Sequence, residues 1–148
     1  MIGLISVVAS LLVVAYEIRQ TNQIAIVTAE IELRNNYSDL NELMATDRDL
    51  IDLLVKVEDP KYEMSRSEFI RLRSFGFRFL NIWIASEIAY ENDMLPESSF
   101  QVVLDDIDHT IRDASYMQPV FKEIVKNYPG WSKTRVVRTI EQSFHQSN

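Results

Sequence analysis

SRSEFIRLRSFGFRFLNIWIASEIAYEN, running from Ser65 to Asn92, is the stretch that decides the fold. It opens on Ser65-Arg66-Ser67-Glu68, a serine followed three residues later by a glutamate, the signature of a capping box at a helix start. Large apolar side chains then recur at helical steps. Phe69, Leu72, Gly76, Phe79, Trp83, Ser86 and Tyr90 form one stripe; Ile70, Phe77, Leu80, Ile84 and Ile88 form a second. A helix that is apolar on most sides has to be surrounded by others, so this segment is the expected centre of a bundle. Gly76 in its middle costs about 1 kcal/mol relative to alanine, which close approach of a neighbouring backbone would offset. Arg71, Ser74, Arg78 and Asn81 make a polar strip, expected to pair with Asp105, Asp106 and Asp108, with anion or lipid-headgroup binding as the alternative.

Downstream of this helix, Asn92-Asp93-Met94-Leu95-Pro96 reads as a turn. Ser98 or Ser99 is the expected cap of the next helix, where Phe100, Val103, Leu104, Ile107, Ile111 and Ala114 line one face. Pro119 suits the first turn of another helix that ends at Tyr128-Pro129-Gly130. Ser132 is then expected to cap a last helix carrying Val136, Val137, Ile140 and Phe144. Upstream, Thr46-Asp47-Arg48-Asp49 reads as a helix start, followed by Leu50, Ile51, Leu53, Leu54, Val55 and Val57, a short and largely buried helix stopped by Glu58-Asp59-Pro60. Nothing reads as a strand.

Met1 to Tyr16 carries no charged side chain. As a helix it is roughly 24 Å long, somewhat short of the hydrocarbon core of a bilayer, and Ile18 extends it. Tyr16 would sit at headgroup level, and Arg19 can carry its guanidinium outward. A membrane-spanning anchor over residues 1–18 is therefore expected. Two alternatives are a buried core helix and a signal peptide cleaved near Val13-Val14-Ala15, although the positively charged leader of such signals is missing. Ser6 and Ser10, with Gly3 and Ala9, are small residues that would allow close helix packing in lipid. Arg19 and Arg34 follow the span and place the bulk of the chain in the cytoplasm by the positive-inside rule.

From Leu4 to Asp59 there is neither Gly nor Pro, so the first helix can leave the membrane unbroken. Glu17 to Gln23 forms a polar collar. Beyond it Ile26, Ala29, Leu33, Tyr37, Leu40 and Met44 form an amphipathic stripe, expected to pack on the rest of the domain. Ile26, Leu33 and Leu40 also keep seven-residue spacing, which leaves a parallel coiled-coil seam between protomers as the alternative.

The whole chain has 148 residues, of which 47% are hydrophobic and 25% charged, with a formal net charge of -7. That suits one domain rather than two. The absence of Cys excludes disulfides, thiol nucleophiles and Cys-ligated metals, and 3 Gly with 4 Pro leave little for a turn-rich β-sandwich or a phosphate loop. The acidic balance argues against nucleic acid as a partner. The charge is uneven: residues 93–118 carry -5 and residues 119–148 carry +3. Lys122, Lys126, Lys133, Arg135 and Arg138 make the basic C-terminal patch, a candidate for anion or lipid contact, with an ordinary solvated face as the alternative.

Candidate chemistry is sparse. Asp105-Asp106-Ile107-Asp108-His109 places a carboxylate three residues before a histidine, half of the pattern that holds a di-iron centre in a bundle. Glu87 and Glu91 on the central helix could add carboxylates. The other histidine, His145, lies near the end of the chain. A solvated acidic face with an incidental histidine explains the same residues. No serine sits in a strand–turn–helix context, no catalytic residue stands out and no cofactor is implied.

The apolar first helix, the collar Glu17-Ile18-Arg19-Gln20-Thr21-Asn22, the aromatic-rich central helix before Asn92-Asp93-Met94-Leu95-Pro96-Glu97, and the late Trp131 and Phe144 together resemble a widespread, uncharacterised set of small bacterial membrane-anchored all-helical proteins. That set often has Gly in the turn where this chain has Asp93. The resemblance implies an anchor and a bacterial inner-membrane setting, and no functional residue. The expectation is an all-α protein: an anchor at 1–18, an exit helix at 19–46, and a domain at 47–148, with four or five helices beyond the first. The expected role is a membrane-anchored non-enzymatic interaction module, with membrane lipid and either a second copy or another protein as partners. A metal-dependent or lipid-modifying enzyme built on Asp105, Asp106, His109, Glu87 and Glu91 is one alternative. A soluble bundle enclosing its own N-terminal helix is the other.

Overall fold

A computed structural model describes residues 2–146, with side chains described from Ser6 to His145. Among the described residues the protein is all-helical. Helix α1 spans Ile2–Thr46 in one piece, α2 Arg48–Val57, α3 Arg66–Glu91, α4 Glu97–Asp113, α5 Gln118–Asn127 and α6 Arg135–Gln146. Short 3-10 turns at Ser115–Met117 and Pro129–Trp131 bracket α5. The unbroken α1, roughly 67 Å long at 1.5 Å per residue, follows from the lack of Gly and Pro beyond Gly3.

The capping box of α3 is formed: the Glu68 backbone N–H donates to the Ser65 hydroxyl, and Glu68 accepts from the Ser65 backbone N–H at 2.9 Å. Tyr62 adds a 2.7 Å hydrogen bond to the same carboxylate. These donors hold the Glu68 carboxyl down at about 2. Elsewhere the caps differ from expectation. Asp47, not Thr46, caps α2 by accepting the Leu50 N–H, because the Thr46 hydroxyl turns back to the Glu42 carbonyl. Neither Ser98 nor Ser99 caps α4; Pro96 occupies the N-cap position, and Ser99 donates to Glu30 on α1 at 2.8 Å. Ser132 bonds the Pro129 carbonyl, and α6 begins three residues later.

The C-terminus of α3 closes as a Schellman motif. The Met94 N–H reaches the Ala89 carbonyl and the Asp93 N–H reaches that of Tyr90. The motif needs a left-handed residue after the cap, and Asp93 supplies it with φ 57°. Asp tolerates this region better than most side chains do.

Helix α3 lies at the centre of the core, with Leu72, Leu80 and Trp83 fully buried. Trp83 stacks on Phe121 at 5.4 Å, and Tyr90 on Phe100 at 4.7 Å. The first expected stripe is the inner face. The second is split: Leu80 and Ile84 are buried, but Ile70 and Ile88 face outward. In α2, Leu50, Leu53, Leu54 and Val57 are buried, while Ile51 and Val55 are not. Gly76 is explained by side chains rather than by backbone. A Cβ there would stand 3.0 Å from Val120 Cγ1 and 3.3 Å from Met117 Cε, so its absence lets α5 settle against α3.

The C-terminal part of α1 packs on the bundle through Leu33, Tyr37, Leu40 and Leu43, with Leu40 only 3% exposed. Leu43 takes the place expected for Met44, which is exposed. Leu33 and Leu40 are thereby committed inside one chain, so the coiled-coil seam through Ile26, Leu33 and Leu40 is not available to a partner. In the N-terminal part of α1 the described residues 6–24 are all exposed, so nothing among them favours the alternative of a core that encloses this helix. Among the described residues no helix is long and apolar enough to cross a membrane. The apolar block begins at Met1, and its first five side chains lie outside the described residues.

Candidate functional site

The carboxylates singled out from the sequence are dispersed. Asp106 is half-buried, and its Oδ2 accepts two hydrogen bonds, from the Tyr37 hydroxyl of α1 at 2.8 Å and from Trp83 Nε1 of α3 at 3.0 Å. One oxygen on α4 thus fastens three helices. Burial pushes the Tyr37 phenol well above its usual range, and the adjoining Asp106 charge adds to the effect. Tyr37 therefore serves as a donor to Asp106 and not as an acid at ordinary pH.

Glu87 is 3% exposed and faces away from that node, toward α6. Its carboxylate accepts the backbone N–H groups of Arg135 at 2.5 Å and Val136 at 2.9 Å. This is an N-cap supplied by another helix: two donors that the first turn of α6 leaves unpaired find a negative charge on the dipole axis. Asp105 accepts from Gln101 on the surface, and the exposed His109 pairs with Asp113 at 3.0 Å, one turn onward. Glu91 is exposed. Among the described residues no group of three such side chains could hold a metal ion. The shared-ion arrangement of Asp105, Asp106, His109, Glu87 and Glu91 is thus corrected. Asp106 and Glu87 hold helices together, and His109 is drawn to its own helix.

The basic residues are also redistributed. Arg71 does not reach α4; its Nη2 donates to both oxygens of Asp47, at 2.6 and 2.8 Å, and tethers the start of α2. That pair holds the Asp47 carboxyl below its usual range. Arg73 reaches Glu123 instead. Of the C-terminal set, Arg135 lies over the Tyr90 and Phe100 rings and approaches Glu97 at 3.4 Å. Lys122 sits over Phe144, and Arg138 donates to the Thr134 carbonyl. Lys126 and Lys133 are exposed. The five therefore do not form one free patch.

Two surfaces remain. A groove of about 660 Å³ runs between α1 and α4, bordered by Glu30, Arg34, Tyr37, Val102 and Asp106. Its carboxylates already accept hydrogen bonds from Ser99, Tyr37 and Trp83. The larger feature is the projecting part of α1. Val7, Val8, Leu11, Leu12, Val13, Val14 and Ile18 are 49–67% exposed, and Tyr16 is 69% exposed beside the exposed Arg19. The sequence pointed to Asp106 as a metal candidate and as a partner for the polar strip of α3. Nothing in the sequence signals that Tyr37 and Trp83 converge on it, since the three are brought together across separate helices. Compared with protein-family models, curated proteins and solved structures, the chain finds no match.

Proposed function

We propose that this chain is a membrane-anchored, non-enzymatic interaction module of the bacterial inner membrane. Residues 1–18 sit in the bilayer, with Tyr16 and Arg19 at the headgroup boundary, and the bundle stands off in the cytoplasm on the continuation of the same helix. The protein either associates with itself or serves as an accessory subunit of a larger membrane complex.

The observation that carries this reading is the exposure of the apolar block. Seven large aliphatic side chains between Val7 and Ile18 stay half to two-thirds exposed on a helix with no neighbour. Moving them out of water is favourable by on the order of 10 kcal/mol, taking about 1.5 kcal/mol for each. A contiguous surface of that kind marks a site for lipid or a partner.

Purification of the full chain from native membranes in mild detergent tests the module reading. Co-purification of a second copy or of other membrane chains in fixed ratio is the expected result. A monodisperse monomer with no companion overturns it.

A further inference from the structure

Helix α1 is loosely held by the rest of the bundle. Among the described residues it contributes one core side chain, Leu40, whereas α2, with ten residues, contributes four. It packs mainly on α2 and α3. Even there, the small side chains of Ala29, Ala85 and Ala89 leave a cavity of about 60 Å³ between α1 and α3. On the other flank the groove of about 660 Å³ separates α1 from α4. Atoms that line a void lose dispersion partners, so neither flank grips the helix tightly.

Two hydrogen bonds cross the groove: Ser99 donates to Glu30 at 2.8 Å, and Tyr37 donates to Asp106 at 2.8 Å. They stand two turns apart on α1, roughly 10 Å. Both are only part-buried, so water can take over either bond. Among the described residues no ion pair joins α1 to the bundle. The junction with α2 is built differently. Asp47 alone lies between the two helices, and Arg71 of α3 holds its carboxylate. The start of α2 is therefore fixed to the bundle, and Asp47 is the point where a swing of α1 would be absorbed. Residues at the ends of elements serve as hinges in this way.

We infer that α1 is a detachable arm, which swings as a unit about Asp47 between a docked and a released position while α2 to α6 stay folded. Elements with few buried apolar contacts and solvent-accessible hydrogen bonds open first. The remaining core does not depend on the arm. Its largest fully buried side chains, among them Leu72, Trp83, Phe100, Phe121 and Ile140, lie between α3 and α6, and Trp83 holds Asp106 independently of Tyr37. In the docked position the bundle lies back along the arm, from Thr46 beside α2 to Glu30 beside the start of α4. Release leaves it hanging from the tip. On the anchored reading that tip is about 42 Å beyond Ile18, so the arm sets how far from the bilayer the bundle works. The detachment itself does not rest on that reading.

The chain contains no Cys, so nitroxide labels can be placed at will. The test is pulsed electron spin resonance on the full chain in mild detergent, with labels at Asn35→Cys and Gln101→Cys across the groove and, as a control inside the bundle, at Gln101→Cys and Glu141→Cys. All three positions are exposed. Asn35 is roughly 18 Å from Asp47, so a swing of about 45° displaces it by about 14 Å. Tyr37→Phe combined with Ser99→Ala removes both bonds across the groove. The expected result is a longer 35–101 distance whose population rises about tenfold or more over the parent, with the 101–141 distance unchanged. An unchanged 35–101 distance in the double variant overturns the arm. So does a change in both distances together, which would make α1 an integral part of the fold.

Discussion

Glu87 offers the sharpest test of how the bundle is held together. Its carboxylate is 3% exposed, and both oxygens accept backbone N–H groups of the first turn of α6. Glu87→Ala leaves those two donors without a partner in a closed site. A hydrogen bond to a charged group contributes about 1.5–3 kcal/mol, which puts the loss of two at roughly 3–6 kcal/mol. That is a large share of the 5–15 kcal/mol typical for a whole domain. Glu87→Gln keeps the volume and one acceptor oxygen but turns an NH2 group toward a backbone N–H, so it should lose about 2 kcal/mol. The assay is urea unfolding of the full chain in detergent, followed by tryptophan fluorescence, since Trp83 is fully buried beside α5. The midpoint should fall with an unchanged slope. Glu91→Gln, exposed on the same helix, should stay within about 0.5 kcal/mol of the parent. If Glu87→Gln is equally silent, the carboxylate does not fix the start of α6 and the reasoning fails.

Three further outcomes follow from the packing. Gly76→Ala gains about 1 kcal/mol of helix propensity but drives a Cβ to 3.0 Å from the stiff Val120 side chain, so a net loss of about 1 kcal/mol in the same unfolding assay is expected, and a gain would refute the close packing of α5 on α3. Asp93→Gly relieves a left-handed backbone at φ 57° and should raise stability by about 0.5 kcal/mol after the extra freedom of the unfolded chain is subtracted; a lower midpoint would contradict the Schellman account. Glu68 is held at about 2 in the fold against an ordinary 4.5, so its contribution is complete above pH about 4.5 and fades as pH falls toward 2. The stability gap between the parent and Glu68→Gln should close over that window, and a gap that is flat with pH would show that the capping box does not set the shift.

The helical class, the capping box and the inner stripe of α3 were legible in the sequence because each is a local pattern. Spacing along one helix fixes which face is apolar, and Ser65 and Glu68 meet within a single turn. What the sequence did not reveal was what meets across helices. Arg71 reached Asp47 rather than α4, Asp106 gathered Tyr37 and Trp83, and Glu87 capped α6. Each of those partners depends on how helices far apart in the chain are laid side by side. The seam through Ile26, Leu33 and Leu40 shows the same limit. Two apolar sets run along α1 about half a turn apart, and periodicity alone does not say which one the bundle covers. Leu33 and Leu40 are covered, which leaves Ile24, Val27 and Ile31 in the open.

The central claim is that the exposed block at the start of α1 is solvated by lipid. Alkaline carbonate extraction of membranes from cells producing the full chain tests it most directly, because carbonate strips proteins held by charge or by other proteins but not those embedded in the bilayer. The account predicts that the chain stays with the membrane pellet, and that replacing Leu11 and Leu12 with aspartate releases it. Recovery of the unaltered chain in the supernatant would contradict the account.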